Sequence, residues 1–195
     1  MSEFSRIVLH TPRLVLRPLG PADAEPLFGI FSDPRVMRYW STPPWASLAD
    51  AQALVARDLA AMAAGDYLRL GLQRRSDDRL VGNCTLFEIS SGCRRAEVGY
   101  GLAADAWGQG LMHEALTALL THGFGPMELN RVEADIDPRN RASARALERL
   151  GFQCEGRLRE RWIVAGEVSD SDLYGLLARD WRPGAGVRAG RSEPQ

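Results

Sequence analysis

Apolar and charged positions alternate along residues 13–19, R-L-V-L-R-P-L, and predict a first strand with one buried face. Pro21 then opens a short helix to about Ser32, because a proline early in a helix gives up an N–H that has no partner there. The stretch Asp33–Trp45 holds Pro34, Pro43 and Pro44 and three aromatic residues, and reads as a loop or a broken helix. Ser47 is placed to cap a longer alanine-rich helix that ends near Gly65. Strands are expected at roughly 67–74, 79–90 and 94–103, with S-D-D and S-S-G-C as the turns between them. A glycine-bearing turn comes next, then a helix to about Gly123 and a strand around Arg131–Ile136. A further helix covers about Ala142–Leu150 and stops at Gly151, and final strands fall near 153–164 and 171–178. Long strand runs with helices inserted predict an α/β fold, a mixed sheet covered by helices.

The patterning stops at 183–195, P-G-A-G-V-R-A-G-R-S-E-P-Q, which predicts a flexible C-terminal tail after a single domain over 1–182. Hydrophobic content of 45% is enough for a substantial core in one domain. The net charge of −1 gives no electrostatic case for nucleic acid or an anionic membrane as partner. No apolar run approaches bilayer-spanning length, and M-S-E-F-S-R lacks the apolar core of a signal peptide, so a cytoplasmic protein is expected. Cys84, Cys93 and Cys154 are odd in number and widely spaced, which suits neither a disulfide framework nor a zinc ribbon. His113 and Glu114 do not extend to H-E-x-x-H, because Thr117 stands at the fifth position; no metal is expected.

The segment Asp105–Ala115, D-A-W-G-Q-G-L-M-H-E-A, carries the candidate chemistry. It follows a plausible strand, A-E-V-G-Y-G-L, and leads into the apolar-periodic L-M-H-E-A-L-T-A-L-L. The first N–H groups of a helix lack internal partners and the helix dipole favours negative charge there, so strand, glycine turn and helix in this order form an anion site. Gly108 and Gly110 remove the side chains that would keep a phosphate from the backbone. A phosphate-bearing ligand is therefore expected at residues 107–112. The dinucleotide fingerprint G-x-G-x-x-G fails at its third glycine, which is His113 here, and no Gly-Lys-Ser/Thr of a P-loop occurs. Taken alone, the segment could also be a bland turn before a core helix.

The register W-G-Q-G-L-M resembles the coenzyme-A loop of the GNAT N-acetyltransferase superfamily, whose pattern is Gln/Arg-x-x-Gly-x-Gly/Ala. The longer run E-V-G-Y-G-L-A-A-D-A-W-G-Q-G-L-M-H-E-A-L is similar to the RimJ/RimL-type branch, which typically carries Trp where other members carry Gln or Arg. T-P-R-L-V-L-R-P-L, D-P-R-N-R-A-S-A-R-A-L-E-R-L-G-F and D-L-Y-G-L-L-A-R-D-W fit the same branch, so the likeness spans about residues 9–182. Met112 departs from the usual small last residue of the loop, and its side chain is expected to turn away from the phosphates.

The resemblance implies a mostly antiparallel central sheet flanked by helices, acetyl-CoA as acyl donor, and a primary amine, either a protein N-terminus or a small molecule, that attacks the thioester directly. Relatives are often dimers, which makes a homodimer an expected partner. The backbone N–H groups of Gln109, Gly110, Leu111 and Met112 would anchor the coenzyme, with Gly108 shaping the turn and Trp107 either beside it or in the core. Tyr100 and Leu102 would pair through their main chain with the pantetheine arm, and an N–H there could polarise the thioester carbonyl. In N-x-x-S, Asn140 would contact the coenzyme and Ser143 would protonate the sulfur; helix capping explains both residues equally simply. For the base, Glu97 is the first candidate and Glu160 the second; some relatives carry a glutamate on the latter strand, but that position is Trp162 here. Tyr39, Trp40 and Trp45, with Trp162 opposite, would form the acceptor pocket or else a hydrophobic lid. The rival readings are an acyltransferase using another coenzyme-A thioester, a catalytically silent coenzyme-A sensor and, distantly, a dinucleotide-binding domain.

Overall fold

The computed structural model describes residues 4–183; the expected tail therefore lies, Pro183 apart, outside the described residues. One eight-stranded sheet organises the chain: β1 (Leu9–His10), β2 (Leu14–Arg17), β3 (Leu68–Arg74), β4 (Leu80–Ser90), β5 (Arg95–Leu102), β6 (Arg131–Ile136), β7 (Gln153–Val164) and β8 (Glu167–Leu177). Their order across the sheet is β1-β2-β3-β4-β5-β6-β8-β7, and every neighbouring pair is antiparallel except β5 and β6. This is the expected mixed, mostly antiparallel sheet.

Helices α1 (Ala24–Phe31), α2 (Pro34–Met37) and α3 (Leu48–Ala64) cover one face, and α4 (Leu111–Phe124) and α5 (Arg141–Arg149) cover the other. Strand alternation decides which side chain meets which layer. On β4, Leu86 packs near Gly123 of α4, while on β5 the Gly101 position faces Phe31 of α1. Leu68, Leu70, Leu72, Leu86, Leu116 and Leu119 are all fully buried between the sheet and α4, and form much of the core. Asp50 accepts from the Ser47 N–H at 2.9 Å, which starts α3 as expected, and Gly65 in the left-handed conformation ends it.

Three elements differ from the sequence reading. β1 is only two residues long, too short for alternation to show. Asp33 accepts from the Arg35 N–H at 2.9 Å and Pro34 occupies the first helical position, so the proline-rich stretch begins with a single helical turn, α2. β8 starts at Glu167 rather than near 171, because E-V-S-D zips against β7 by backbone pairing with little burial to mark it in the pattern. β7 is an almost wholly exposed edge strand whose register slips at Cys154/Gly156 and Leu158/Trp162. Such bulges twist an edge away from unwanted pairing. Among the described residues no helix is long and apolar enough to cross a membrane, and no group of three or more His, Cys, Asp or Glu is arranged to hold a metal ion.

Candidate active site

The turn between β5 and α4 is shaped by two left-handed glycines, Gly108 at φ +73° and Gly110 at φ +74°. Gly110 is the N-cap of α4 and offers no side chain to cap it. Among the described residues, no backbone or side-chain acceptor takes the N–H groups of Gln109, Gly110, Leu111, Met112 and His113. A Cβ added at Gly108 would meet nothing within 4 Å, so the turn is open on its outer side. These free donors at the positive end of a fourteen-residue helix suit a diphosphate. Trp107 is 48% exposed and its indole N–H donates to the Leu102 carbonyl at 2.8 Å. It latches the turn to the end of β5 and is not a core residue. Leu111 is buried, and Met112 packs partly into the core.

The parallel pairing of β5 with β6 covers Arg95–Glu97 against Arg131–Glu133 and ends there, although β5 runs to Leu102 and β6 to Ile136. Beyond Glu97 the two strands part, and the β5 edge from Val98 to Leu102, including Tyr100, faces β6 without ladder partners. This wedge opens toward the glycine turn. An extended ligand arm can pair with such an edge as an added strand would.

The two sides of the wedge carry different chemistry. On the α4/α5 face the Tyr100 hydroxyl lies 2.6 Å from the Ser143 Oγ. Burial pushes the Tyr100 hydroxyl up to about 12, with the Ser143 hydrogen bond opposing, so it keeps its proton at neutral pH. Asn140 caps α5, its Oδ1 accepting from the Ser143 N–H at 3.1 Å. Capping is thus the work of Asn140; the Ser143 hydroxyl is engaged with Tyr100 instead.

On the α1/α2 face Glu97 is half-buried and has no hydrogen-bond partner among the described residues. Its carboxyl is pushed up to about 7, first by burial, then by the nearby charges of Asp135, Glu133 and Glu88, with Arg161 acting in the opposite sense. Of the carboxylates around it, the two on β6 are occupied. Glu133 pairs with Arg95 and, at 2.7 Å, with Arg131. Asp135 accepts from the Ser171 hydroxyl, from the Trp162 indole N–H at 3.4 Å, and faces the Arg161 Nε at 3.6 Å. Burial also raises the Asp135 carboxyl above the usual range. Glu97 alone of the three is free to take a proton.

Trp40 lies over the splayed part of β5: a Cβ added at Gly101 would come within 3.0 Å of its ring, so glycine is needed for that approach. Trp40 and Trp45 both pack on Phe31, at centroid distances of 5.2 and 5.0 Å. The guanidinium groups of Arg38 and Arg139 lie over the Tyr39 ring, 5.2 and 5.7 Å from its centre. Trp162, on β7, reaches the wedge from the β6 side through Asp135. The aromatic loop and Trp162 thus flank the opening from opposite sides. Glu160 is exposed in the β7 bulge at φ +54°, its N–H bonded to Asp170, and forms no ion pair with the arginines beside it. Three groups at the site were not singled out in the sequence: the Tyr100 hydroxyl, Asp135, and Arg13, whose Nη1 donates to the Gln109 carbonyl at 2.7 Å. E-A-D-I and T-P-R-L read as ordinary strand residues.

Residues 13–153 match the Acetyltransferase (GNAT) domain family. The uncharacterised N-acetyltransferase p20 of Bacillus licheniformis is 33% identical over 173 residues, covering 89% of this chain and 97% of that protein. The ribosomal protein uS5–alanine N-acetyltransferase of Escherichia coli is 28% identical, covering 94% of this chain and 97% of that one. A GNAT-family acetyltransferase from Bacillus anthracis superposes with a TM-score of 0.80 at 24% identity, over 89% of this chain and 99% of its own, and shares the fold.

Proposed function

The chain belongs to the GNAT family of acetyl-CoA-dependent N-acetyltransferases, and on that premise we propose that it acetylates the α-amino group of a peptide or protein by direct attack in a ternary complex. The observation that carries this reading is Glu97, an unpaired carboxyl raised to about 7 at the point where β5 and β6 part. A base of that strength matches a peptide α-amine, whose pKa is about 7.7–8.0; a lysine-type amine at about 10.4 demands far more help. The E. coli relative, named for an alanine of ribosomal protein uS5, supports the same acceptor class. We read residues 1–182 as one catalytic domain working in the cytoplasm, where acetyl-CoA is supplied.

Acetyl-CoA supplies the activated acetyl group as a thioester. In the proposed mechanism the free N–H groups from Gln109 to Met112 hold its diphosphate, and the β5 edge from Val98 to Leu102 receives the pantetheine arm. An N–H on that edge, from Tyr100 or a neighbour, polarises the carbonyl. Glu97 takes the amine proton from the α1/α2 side of the sheet. Ser143 gives its proton to the departing sulfur from the other side and recovers one from Tyr100, 2.6 Å away, and Tyr100 regains its proton from solvent once the products leave. Base and acid are thus separated by the sheet, and the wedge is the passage between them. Tyr39, Trp40, Trp45 and Trp162 border the acceptor's approach.

A panel of peptides with free and blocked N-termini, with small diamines alongside, tests the acceptor by free-thiol release. Turnover is expected with free α-amines and not with Nα-blocked peptides that carry lysine. Preference for the diamines would assign a small-molecule acceptor instead. A protein that binds acetyl-CoA yet releases no thiol with any amine is a sensor.

The division of labour at the start of α5 gives a second test. Asn140→Ala should cost ~1 kcal/mol of stability, the usual worth of such a cap. Ser143→Ala keeps the capped N–H and should leave the melting temperature within a few degrees, while kcat falls more than ~10-fold. An unaltered kcat on the right acceptor removes Ser143 from the mechanism.

A further inference from the structure

We propose that Arg13, which immediately precedes β2 and meets α4 on the face of the sheet opposite Glu97, is the positioning residue for the donor's diphosphate, acting through the Gln109–Gly110 peptide. The inference rests on the reading that acetyl-CoA binds at the glycine turn. Arg13 is tied at three points. Its Nη1 donates to the Gln109 carbonyl at 2.7 Å, its Nε to Glu114 at 2.6 Å, and its backbone N–H to the other oxygen of Glu114 at 2.7 Å. Glu114 lies in the first turn of α4, so strand, turn and helix are clamped together by one guanidinium fork and one carboxylate.

The clamp has a directional consequence. A trans peptide holds its C=O and the following N–H in one plane, pointing in opposite directions. Pinning the Gln109 carbonyl toward Arg13 therefore aims the Gly110 N–H away from Arg13, out of the turn, where it joins the unpaired donors of Leu111, Met112 and His113. Without the clamp, two left-handed glycines in three residues leave this peptide free to turn over, because glycine populates positive and negative φ about equally. Arg13 thus keeps the row of donors aligned before the ligand arrives, and avoids the entropy of ordering it on binding. Its role is orientation rather than a charge contact.

Glu114 separates those two roles by sign. If Arg13 acted only by its charge, Glu114 would be a detrimental anion beside the phosphates, and Glu114→Gln should tighten acetyl-CoA. If Arg13 acts as a clamp, the same variant loosens the turn and weakens acetyl-CoA. The experiment uses the full chain, with calorimetric acetyl-CoA affinity and the ratio of kcat/KM for acetyl-CoA to that for S-acetylpantetheine, a donor with no diphosphate.

Arg13→Ala is expected to weaken acetyl-CoA by at least about tenfold and to lower that ratio to a similar extent. Arg13→Lys, which keeps the charge but cannot bridge Gln109 and Glu114 with a fork, should recover little of the loss. Glu114→Gln should weaken binding by a few fold. Tighter binding by Glu114→Gln, or full recovery by Arg13→Lys, overturns the clamp in favour of charge. An unchanged Arg13→Ala overturns it outright. Gly110→Asp, run in parallel, keeps the two readings apart. If it too leaves acetyl-CoA affinity unchanged, the donor binds elsewhere; if it alone weakens binding, the turn is the site and Arg13 is not its clamp.

Discussion

Glu97→Gln should lower kcat/KM on the preferred amine by about 10²-fold and remove the acidic limb of its pH profile, with acetyl-CoA affinity unchanged. In the wild type that limb should have its midpoint near pH 7, because burial and the neighbouring Asp135, Glu133 and Glu88 carry the Glu97 carboxyl to about 7, and the base works only when ionised. Activity therefore rises with pH through that midpoint. The sign for stability is opposite. A carboxyl whose pKa is higher in the folded chain than in the unfolded one, at about 4.3, is penalised when it ionises, so this site loses stability as pH rises from about 4 to about 7. Glu97→Gln removes the penalty, and its melting temperature should equal or exceed that of the wild type at pH 8. Activity lost together with stability gained is the mark of a group kept for chemistry. Glu160→Gln should change neither quantity much, since Glu160 is exposed in the β7 bulge. A profile that survives Glu97→Gln and shifts with Glu160→Gln would transfer the base to β7.

Gly110→Asp should weaken acetyl-CoA by about thirtyfold, or ~2 kcal/mol. Backbone strain is the first complication, because Gly110 sits at φ +74°. Asn and Asp tolerate that region better than other side chains, and Gly110→Asn is the matched control that shares strain and size without the charge. The added Cβ would lie 3.5 Å from the Arg13 Nη2, which is ordinary contact. Its carboxylate then acts in two ways: it places negative charge where the diphosphate binds, and it competes with Glu114 for Arg13. Calorimetry on both folded variants reads the difference. Equal affinity for Gly110→Asp and wild type would place the donor elsewhere.

Much of the site is legible in the order of residues because it is local. A turn that needs two left-handed glycines, the free N–H groups that follow them, and the cap at the start of α5 all lie within a few residues of one another. The same holds for most strands, whose alternation records a face buried against helices. Where no face is buried the record is weak, as in E-V-S-D at the start of β8. Within the N-x-x-S stretch capping alone would explain both residues; in the structure Asn140 caps α5 and the Ser143 hydroxyl is held by Tyr100.

The sequence by itself determined most of the element order, the glycine turn and the family resemblance, since each depends on neighbours along the chain. Only the tertiary structure decided which groups share a site. Tyr100 and Ser143 are 43 residues apart, and Arg13 and Glu114 are 101 apart. The proton affinity of Glu97 comes from burial and from carboxylates on β4 and β6, not from its own segment. The wedge itself exists because a parallel pair of strands separates after three residue pairs. Local backbone preference is written within a few residues of sequence, whereas desolvation, charge proximity and strand divergence arise only when distant segments are packed together.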